Sequence, residues 1–214
     1  AKLTGGERFG ADAIPKHALW LRVVRSPHHR ARFTLGELNA VVGRTPGLVR
    51  ILTWRDVPSN GFGIYPSVKD QPVLAQEEAR FRGEAVLALV GTRQAIDALL
   101  DTDLPIGYEP LPPVVGLQAA MAPGAPLVQA HKPGNLLQDG SVRSGNPAAQ
   151  FANCAAVAEG TFETAFVEHA YIEPEAGWAE RVGSKDDARI EIHVTTQTPY
   201  MDRYGEYMQN ELRE

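Results

Sequence analysis

The sequence predicts an α+β protein, and three observations lead to this fold class. Short apolar runs rich in β-forming residues alternate with segments whose apolar residues have helical spacing. Pro and Gly residues separate these segments at short intervals. Hydrophobic residues make up 43% and charged residues 22% of the chain, which is typical of a folded globular protein. A chain of 214 residues therefore accommodates one large domain or two small ones.

Most of the regular structure is expected in the first hundred residues. Residues 18–25 are rich in β-forming side chains and end at the turn-like Ser26-Pro27, which predicts a strand. Apolar residues at helical spacing predict a helix between residues 36 and 43. The following segments predict, in chain order, a strand at 48–52, an irregular loop at 53–70, two buried strands between 72 and 90, a helix at 93–100 and a strand at 104–108.

The second half of the chain is predicted to contain an extended connector and the beginning of a second domain. Residues 110–147 carry many Pro and Gly residues with little periodicity, which is typical of a connector that lies over a surface. Strands are expected at 155–161 and at 188–196, where apolar and polar residues alternate. These patterns divide the chain into a domain at 1–110, a connector at 111–150 and an incomplete β-containing domain at 151–214.

Charge and cysteine content argue against several classes of function. The net charge of -5 and the pI near 5.7 are unlike those of nucleic-acid-binding proteins. Cys154 is the single cysteine, so the chain cannot form an internal disulfide or supply the thiolates of an iron–sulfur cluster, and a cytoplasmic location is expected. No run approaches the roughly 18 to 20 apolar residues that span a bilayer. We therefore expect neither a nucleic-acid nor a membrane partner.

Three clusters of side chains could carry chemistry, and residue types alone leave the alternatives open. His28 and His29 are adjacent, so on a strand they point to opposite faces and could chelate a metal together only across a turn. Residues 168–175 combine three carboxylates with a histidine, which suits general acid–base catalysis or a solvated strand edge. A basic cluster could bind an anion, form a solvated face or contact another subunit; it consists of Arg22, Arg25, Arg30 and Arg32.

A series of short motifs follows in order along nearly the whole chain. They lie at 3–12 (LTGGERFGAD), 24–32 (VRSPHHRAR), 46–49 (PGLV), 53–58 (TWRDVP), 71–75 (QPVLA), 83–86 (GEAV), 108–112 (YEPLP), 160–175 (GTFETAFVEHAYIEPE) and 195–199 (TTQTP). Together they resemble the molybdenum hydroxylase family of xanthine dehydrogenases, aldehyde oxidases and carbon monoxide dehydrogenases. The resemblance implies an α/β-hammerhead domain at 1–110, followed by the start of a molybdopterin-binding α+β domain at 151–214.

The resemblance also assigns one site residue. Gln197 corresponds to the family's glutamine whose amide approaches an oxo ligand of molybdenum, so it is the expected cofactor-binding residue. Val167 stands where the family usually has glutamine, and this departure weakens any specific role for that position. No catalytic residue is expected in this segment, because the family's glycine-rich loop and its general-base glutamate are not found in the sequence.

The function implied by the resemblance is that of part of a larger enzyme. The molybdenum-cofactor-binding subunit would oxidise an aldehyde or an N-heteroaromatic, xanthine-like substrate with oxygen derived from water. Iron–sulfur clusters and FAD would lie on other domains or subunits, which together with the rest of the large subunit are the expected partners. The chain, which begins with Ala1, is then expected to be a shortened or cleaved polypeptide or a subunit completed by another chain, inactive by itself. The alternative is a non-catalytic module that docks partner subunits and binds no cofactor by itself.

The predicted connector gives the first testable expectation. Limited proteolysis should cut the chain first between residues 110 and 147, because connectors rich in Pro and Gly offer accessible backbone. Mass spectrometry of the early fragments identifies the position of the cuts. Early cuts within 85–100, with the connector intact, would contradict the predicted boundary.

Overall fold

A computed structural model describes residues 2–6, 12, 14–63, 68–165, 167, 176–184 and 189–194. Contacts divide the chain into two compact units, of which the larger is Leu19–Val157 and the smaller combines Ala1–Ala18 with Ala158–Glu214. In the described part, no helix has the length and apolar character that a membrane span requires.

The described residues of the larger unit form two antiparallel three-stranded sheets and four short α-helices. Its strands are β1 (Trp20–Arg25), β2 (Ala31–Leu35), β3 (Leu48–Leu52), β4 (Glu78–Ala79), β5 (Ala85–Gly91) and β6 (Ile106–Pro110). Its helices are α1 (Leu38–Arg44), α2 (Arg93–Ala98), α3 (Leu117–Met121) and α4 (Pro147–Phe151). The sheets have the orders β1-β5-β3 and β4-β2-β6. This mixture of strands and helices confirms the predicted α+β class.

Strand β5 is the central strand of the first sheet, and side chains on both of its faces are buried. Leu87 and Leu89 are 0% exposed and belong to a cluster with apolar residues of β1, β3, α1 and α2. Val86, on the other face, packs in a second cluster that includes Phe33 of β2. A strand buried on both faces needs a continuous apolar run, and the sequence Ala-Val-Leu-Ala-Leu-Val-Gly provides one.

A close approach of two backbones joins β5 to β3. A Cβ atom on Gly91 would lie 2.6 Å from the carbonyl oxygen of Gly47 and 3.0 Å from the Cα of Leu48. Gly47 itself has a φ of +87°, a conformation that glycine adopts without strain. The amide of Thr92 donates to the Gly47 carbonyl at 2.8 Å, and the Thr92 hydroxyl accepts from the Ala95 amide at 3.3 Å, which caps α2. Glycine at position 91 therefore allows β3, β5 and α2 to meet.

Most of the predicted elements of this unit are confirmed, with shifts of about two residues at their ends. Strands β1, β3 and β6 and helices α1 and α2 occupy the segments predicted for them. Strand β2 was not predicted, although its burial alternates as expected for a sheet with one covered face: Ala31 and Phe33 are buried and Arg32 and Thr34 are exposed.

The prediction of the first of two strands between residues 72 and 90 is wrong in its extent, because only the two-residue β4 forms. In part of this segment, the side chain of Asn60 makes the backbone hydrogen bonds that a neighbouring strand would otherwise make. Its amide nitrogen donates to the Leu74 carbonyl at 2.8 Å, and its oxygen accepts from the Leu74 amide at 2.9 Å. Backbone groups satisfied by a side chain have no need of a neighbouring strand.

Residues 111–157 belong to the same compact unit as the two sheets. Asn135, which has a φ of +56°, connects several parts of this segment through its side chain. Its amide nitrogen donates to the Ala120 and Pro126 carbonyls at 2.8 and 3.1 Å, and its amide oxygen accepts from the Val128 backbone amide at 2.8 Å. Gln129 donates to the Asp70 carbonyl at 2.8 Å and so ties the segment to the loop before β4. The division of the chain at residues 110 and 150 remains a prediction.

The described part of the smaller unit contains an antiparallel strand pair, β7 (Gly177–Val182) and β8 (Arg189–Val194). Strand β8 confirms the strand predicted at 188–196 over its described residues, whereas β7 was not predicted. The strand predicted at 155–161 is wrong, since these residues have no regular structure. Val157 is 63% exposed, and no described strand pairs with this stretch, so its apolar residues lack the neighbour that a strand requires.

Two glycine substitutions test the backbone contact at the end of β5. Gly91→Ala should lower the free energy of unfolding by about 1–3 kcal/mol, because the new methyl group collides with the backbone of β3. Gly43→Ala is the matched control: a Cβ there meets no atom within 4 Å, and alanine in a helix should raise stability by up to about 1 kcal/mol. Urea unfolding followed by circular dichroism measures both, and equal effects would contradict the close approach.

Candidate functional site

Gln197, the predicted cofactor-binding residue, lies outside the described residues, three positions beyond Val194 at the end of β8. The acidic stretch 168–175 also lies outside them. What the structure describes is the strand pair that precedes Gln197. Trp178 stands opposite His193, and Glu180 stands opposite Glu191, so these four side chains share one face of the pair.

The two faces of this strand pair differ in character. On the polar face, the Trp178 ring stacks on the His193 ring with centroids 4.8 Å apart and an angle of 6° between the planes. On the other face, Ile190 and Ile192 are 71% and 57% exposed. The alternation within β8 was visible in the sequence, but the residues opposite it were missed because β7 was not predicted.

The structure does not bring His28 and His29 together with other metal-ligating side chains of the described residues. The ring of half-buried His28 packs against Tyr108 with centroids 5.1 Å apart, while His29 is exposed. Among the described residues, neither belongs to a group of three metal-ligating side chains whose ligand atoms lie together. Burial raises the pKa of Tyr108, so its phenol stays protonated at neutral pH. The contact between the two rings is a packing interaction.

The basic cluster is dispersed into separate contacts. Arg22 donates to the Asp101 carboxylate at 2.6 Å and to the Leu99 carbonyl at 2.7 Å, and Arg25 donates to the Gly83 carbonyl at 2.8 Å. Arg30 donates to the Glu78 carboxylate at 2.7 Å. These contacts connect β1 and β2 to distant parts of the same unit, which favours a structural role over the binding of an anion.

A cavity of about 570 Å³ in the larger unit lies between the segment around β4 and residues 127–131. Arg30, Glu78 and Arg80 are among the charged residues that line it. Arg80 forms an ion pair with Glu84, which is 4% exposed and accepts from the Arg80 backbone amide at 2.5 Å as well as from its guanidinium. Because both arginines are paired with carboxylates, their charges are already balanced without a ligand.

Ser26 and Glu84, the buried polar residues of the described part, meet where β1 ends and β5 begins. The Ser26 amide donates to the Glu84 carbonyl, and the Gly83 amide donates to the Ser26 carbonyl, both at 2.9 Å. We call Ser26, Gly83, Glu84 and Arg80 the polar corner. Two of the sequence motifs, at 24–32 and 83–86, therefore come together to satisfy buried polar groups.

The motif at 53–58 has a similar structural role. Asp56 accepts from the Thr53 amide at 2.8 Å and from the Arg50 guanidinium at 2.6 Å, and together with the N-cap residue Thr53 it forms the capping box of the 3-10 turn Trp54–Asp56. The backbone hydrogen bond from Thr53, helped by Arg50, lowers the pKa of Asp56. This carboxylate is held in its ionised form and is a poor proton acceptor.

Two family models match the chain. The model described as the aldehyde oxidase and xanthine dehydrogenase a/b hammerhead domain matches residues 4–112. The model described as the molybdopterin cofactor-binding domain matches residues 128–205. The two matches follow one another along the chain in the order expected from the motifs.

Individual proteins are similar over nearly the whole chain. The nicotinate dehydrogenase large molybdopterin subunit of Eubacterium barkeri is 29% identical over 207 residues, which cover 94% of this chain and 46% of that protein. The xanthine dehydrogenase molybdenum-binding subunit of Escherichia coli O157:H7 is 29% identical over 216 residues, which cover 95% of this chain and 27% of that protein. The chain thus spans less than half the length of these relatives.

Solved structures share the fold. Quinoline 2-oxidoreductase from Pseudomonas putida 86 superposes with a TM-score of 0.75 and 28% identity, over 97% of this chain and 27% of that chain. The aldehyde oxidoreductase from Desulfovibrio gigas superposes with a TM-score of 0.72 at 23% identity, over 91% of this chain and 22% of that chain, which shows a common fold.

The ion pair of the polar corner gives a stability prediction. Glu84→Gln should lower the free energy of unfolding by about 3 kcal/mol, because it leaves the mostly buried Arg80 guanidinium without a counter-charge. Asp97→Asn is the matched control, since the Arg93–Asp97 pair has the same spacing but is exposed, and it should change stability by less than about 1 kcal/mol. Arg80→Met combined with Glu84→Gln should cost less than the sum of the two single changes. Additive losses in urea unfolding would show that the pair is not coupled.

Proposed function

This chain belongs to the aldehyde oxidase and xanthine dehydrogenase family of molybdenum hydroxylases, and we propose that it is part of the molybdenum-cofactor-binding subunit of such an enzyme. The observation that carries the proposal is the collinear match of the hammerhead model at 4–112 and the molybdopterin model at 128–205. The complete enzyme would oxidise an aldehyde or an N-heteroaromatic, xanthine-like compound with oxygen derived from water. Similarity to subunits named for nicotinate and xanthine dehydrogenases supports the N-heteroaromatic class.

The residues that follow β8 have the chemistry to hold the cofactor. Thr195, Thr196 and Gln197 supply two hydroxyl groups and one side-chain amide immediately after a paired strand. Hydroxyl and amide donors suit an anionic, oxygen-rich group, because they donate hydrogen bonds without introducing a competing charge. When bound, the molybdenum cofactor would supply the two-electron acceptor for the oxidation of the substrate.

Gln197 is the residue of this chain to which we assign a direct role. A side-chain amide is a neutral hydrogen-bond donor, and preorganised donors of this kind stabilise negative charge that develops during a reaction. The general base that the reaction also requires would come from outside these 214 residues, since the sequence lacks the family's glutamate motif. We therefore propose that this chain orients the cofactor through Gln197, and that a residue outside these 214 residues transfers the proton.

The proposed partners follow from the redox chemistry. Electrons that leave the cofactor need further carriers, and iron–sulfur clusters require several thiolates whereas this chain has one cysteine. We place the clusters and FAD on other domains or subunits, together with the remaining part of the large subunit. Within this chain, the proposed organisation is a hammerhead domain at 1–110, a connector at 111–150 and a molybdopterin-binding portion at 151–214, in a cytoplasmic enzyme.

Replacement of Gln197 tests both the assignment and the function. In the complete enzyme, purified with its partner subunits, Gln197→Ala should lower kcat by up to about a hundredfold to a thousandfold, because loss of one preorganised donor costs that much elsewhere. KM should change much less, since the donor acts mainly on charge that develops after the substrate has bound. Steady-state kinetics with an aldehyde and with an N-heteroaromatic substrate measure both constants.

Cofactor content must be measured in the same preparations. Molybdenum and pterin should be stoichiometric in the parent enzyme and in Gln118→Ala, a control in which an exposed glutamine of α3 is removed. A Gln197→Ala enzyme with full cofactor and unchanged kcat would refute the role of Gln197 alone. An assembly that contains this chain and its partners but no molybdenum would refute the proposed function and indicate the non-catalytic docking module.

A further inference from the structure

The sequence contains one Asn-Gly pair, Asn60-Gly61, and one Asp-Gly pair, Asp139-Gly140. In both pairs, the nitrogen of the glycine amide can attack the carbonyl carbon of the preceding side chain and close a succinimide ring. Glycine permits this attack because it has no Cβ to shield its nitrogen and has wide freedom in φ and ψ. On sequence alone Asn60-Gly61 is the more reactive pair, because a side-chain amide expels ammonia more readily than a carboxyl group expels water.

The fold protects Asn60-Gly61 from this reaction. The side-chain nitrogen of Asn60 donates to the Leu74 carbonyl at 2.8 Å, and its side-chain oxygen accepts from the Leu74 amide at 2.9 Å. The backbone is held as well, since Phe62 and Gln71 exchange hydrogen bonds of 2.8 and 2.9 Å. Ring closure turns the Asn60 side chain away from Leu74 towards the Gly61 nitrogen, which breaks both of its hydrogen bonds. Succinimide formation at Asn60 therefore requires local unfolding.

Asp139-Gly140 lies in an exposed segment without regular structure. Every residue from 136 to 144 is exposed and belongs to no helix or strand. Within the described part of the chain, neither the Asp139 carboxylate nor the Gly140 amide forms a hydrogen bond, and the backbone carbonyl of Asp139 accepts only from the adjacent Gln138 side chain, at 3.2 Å. A Cβ on Gly140 would meet no atom within 4 Å, so the backbone there is uncrowded. Side chain and backbone can both adopt the geometry of ring closure.

We propose that Asp139-Gly140 is a site of spontaneous isoaspartate formation, and that the fold suppresses the corresponding reaction at Asn60. The Gly140 nitrogen loses its proton and bonds to the Asp139 Cγ atom, from which a carboxyl oxygen leaves as water. Water then adds to the main-chain carbonyl carbon of Asp139, and the bond from that carbon to the Gly140 nitrogen breaks, so that the chain runs through Cγ. The water lost in the first step is regained in the second, and no oxidant, metal or cofactor takes part.

Incubation of the folded 214-residue chain at neutral pH tests the proposal. An isoaspartyl methyltransferase supplied with radiolabelled S-adenosylmethionine measures the amount of isoaspartate, and peptide mapping by mass spectrometry gives its position. We expect isoaspartate at position 139 and much less at position 60. In urea, which removes the hydrogen bonds to Leu74, the rate at Asn60 should rise by at least about tenfold relative to the rate at Asp139, because the protection given by two hydrogen bonds is lost.

Three variants, each checked for folding by circular dichroism, separate this site from other sources of isoaspartate. Gly140→Ala should remove most of the isoaspartate at position 139, because the new methyl group hinders the nitrogen, and it should leave the fold intact. Asp139→Glu keeps the negative charge but needs a larger ring, so it should remove the signal as well. Val142→Ala, the matched control at a fully exposed neighbour, should leave the rate unchanged. A faster reaction at Asn60 than at Asp139 in the folded chain, no isoaspartate at position 139, or an unchanged rate in Gly140→Ala would overturn the proposal.

Discussion

The structure of the larger unit depends on the burial of β5 on both of its faces. Leu87 and Leu89 complete one apolar cluster, and Val86 contributes to the other, so a single strand joins the helices to the second sheet. Hydrophobic burial of this kind is the main favourable term in folding. It also restricts the ends of β5: glycine is needed at position 91, where β3 approaches, and polar groups at its beginning must be satisfied internally.

The need to satisfy buried polar groups internally explains why several of the family-like motifs contain polar residues that have a structural role. Ser26 and Glu84 satisfy buried backbone groups at the polar corner, and Asp56 completes the capping box of a turn beside β3. The Asp56 pKa is lowered because its ionised form is hydrogen-bonded, which stabilises the fold at neutral pH and removes the carboxylate from proton transfer. The resemblance in the first hundred residues thus reflects how this domain folds, and the chemistry of the cofactor is assigned to the residues beyond β8.

The parts of the fold that could be predicted are those determined by local pattern. The apolar run of β5 and the helical spacing in α1 and α2 have strong signals in the sequence, and all three form as expected. The segment 72–79 could not be predicted, because Asn60, distant in sequence, takes over the hydrogen bonds of Leu74. Strand β7 has a weak pattern of its own and is defined by its pairing with β8. Gln197 came from the family resemblance alone, since a single glutamine has no pattern that spacing could reveal.

The stability of the β7–β8 pair matters for the proposed function, because this pair immediately precedes Gln197. Two antiparallel strands are marginally stable in water by themselves, and β7–β8 has exposed isoleucines on one face and opposed carboxylates on the other. A donor aids catalysis only if its position is held closely, because a displacement of about 1 Å can cost a hundredfold in rate. Whatever holds the β7–β8 pair in the complete enzyme therefore bears directly on the role proposed for Gln197.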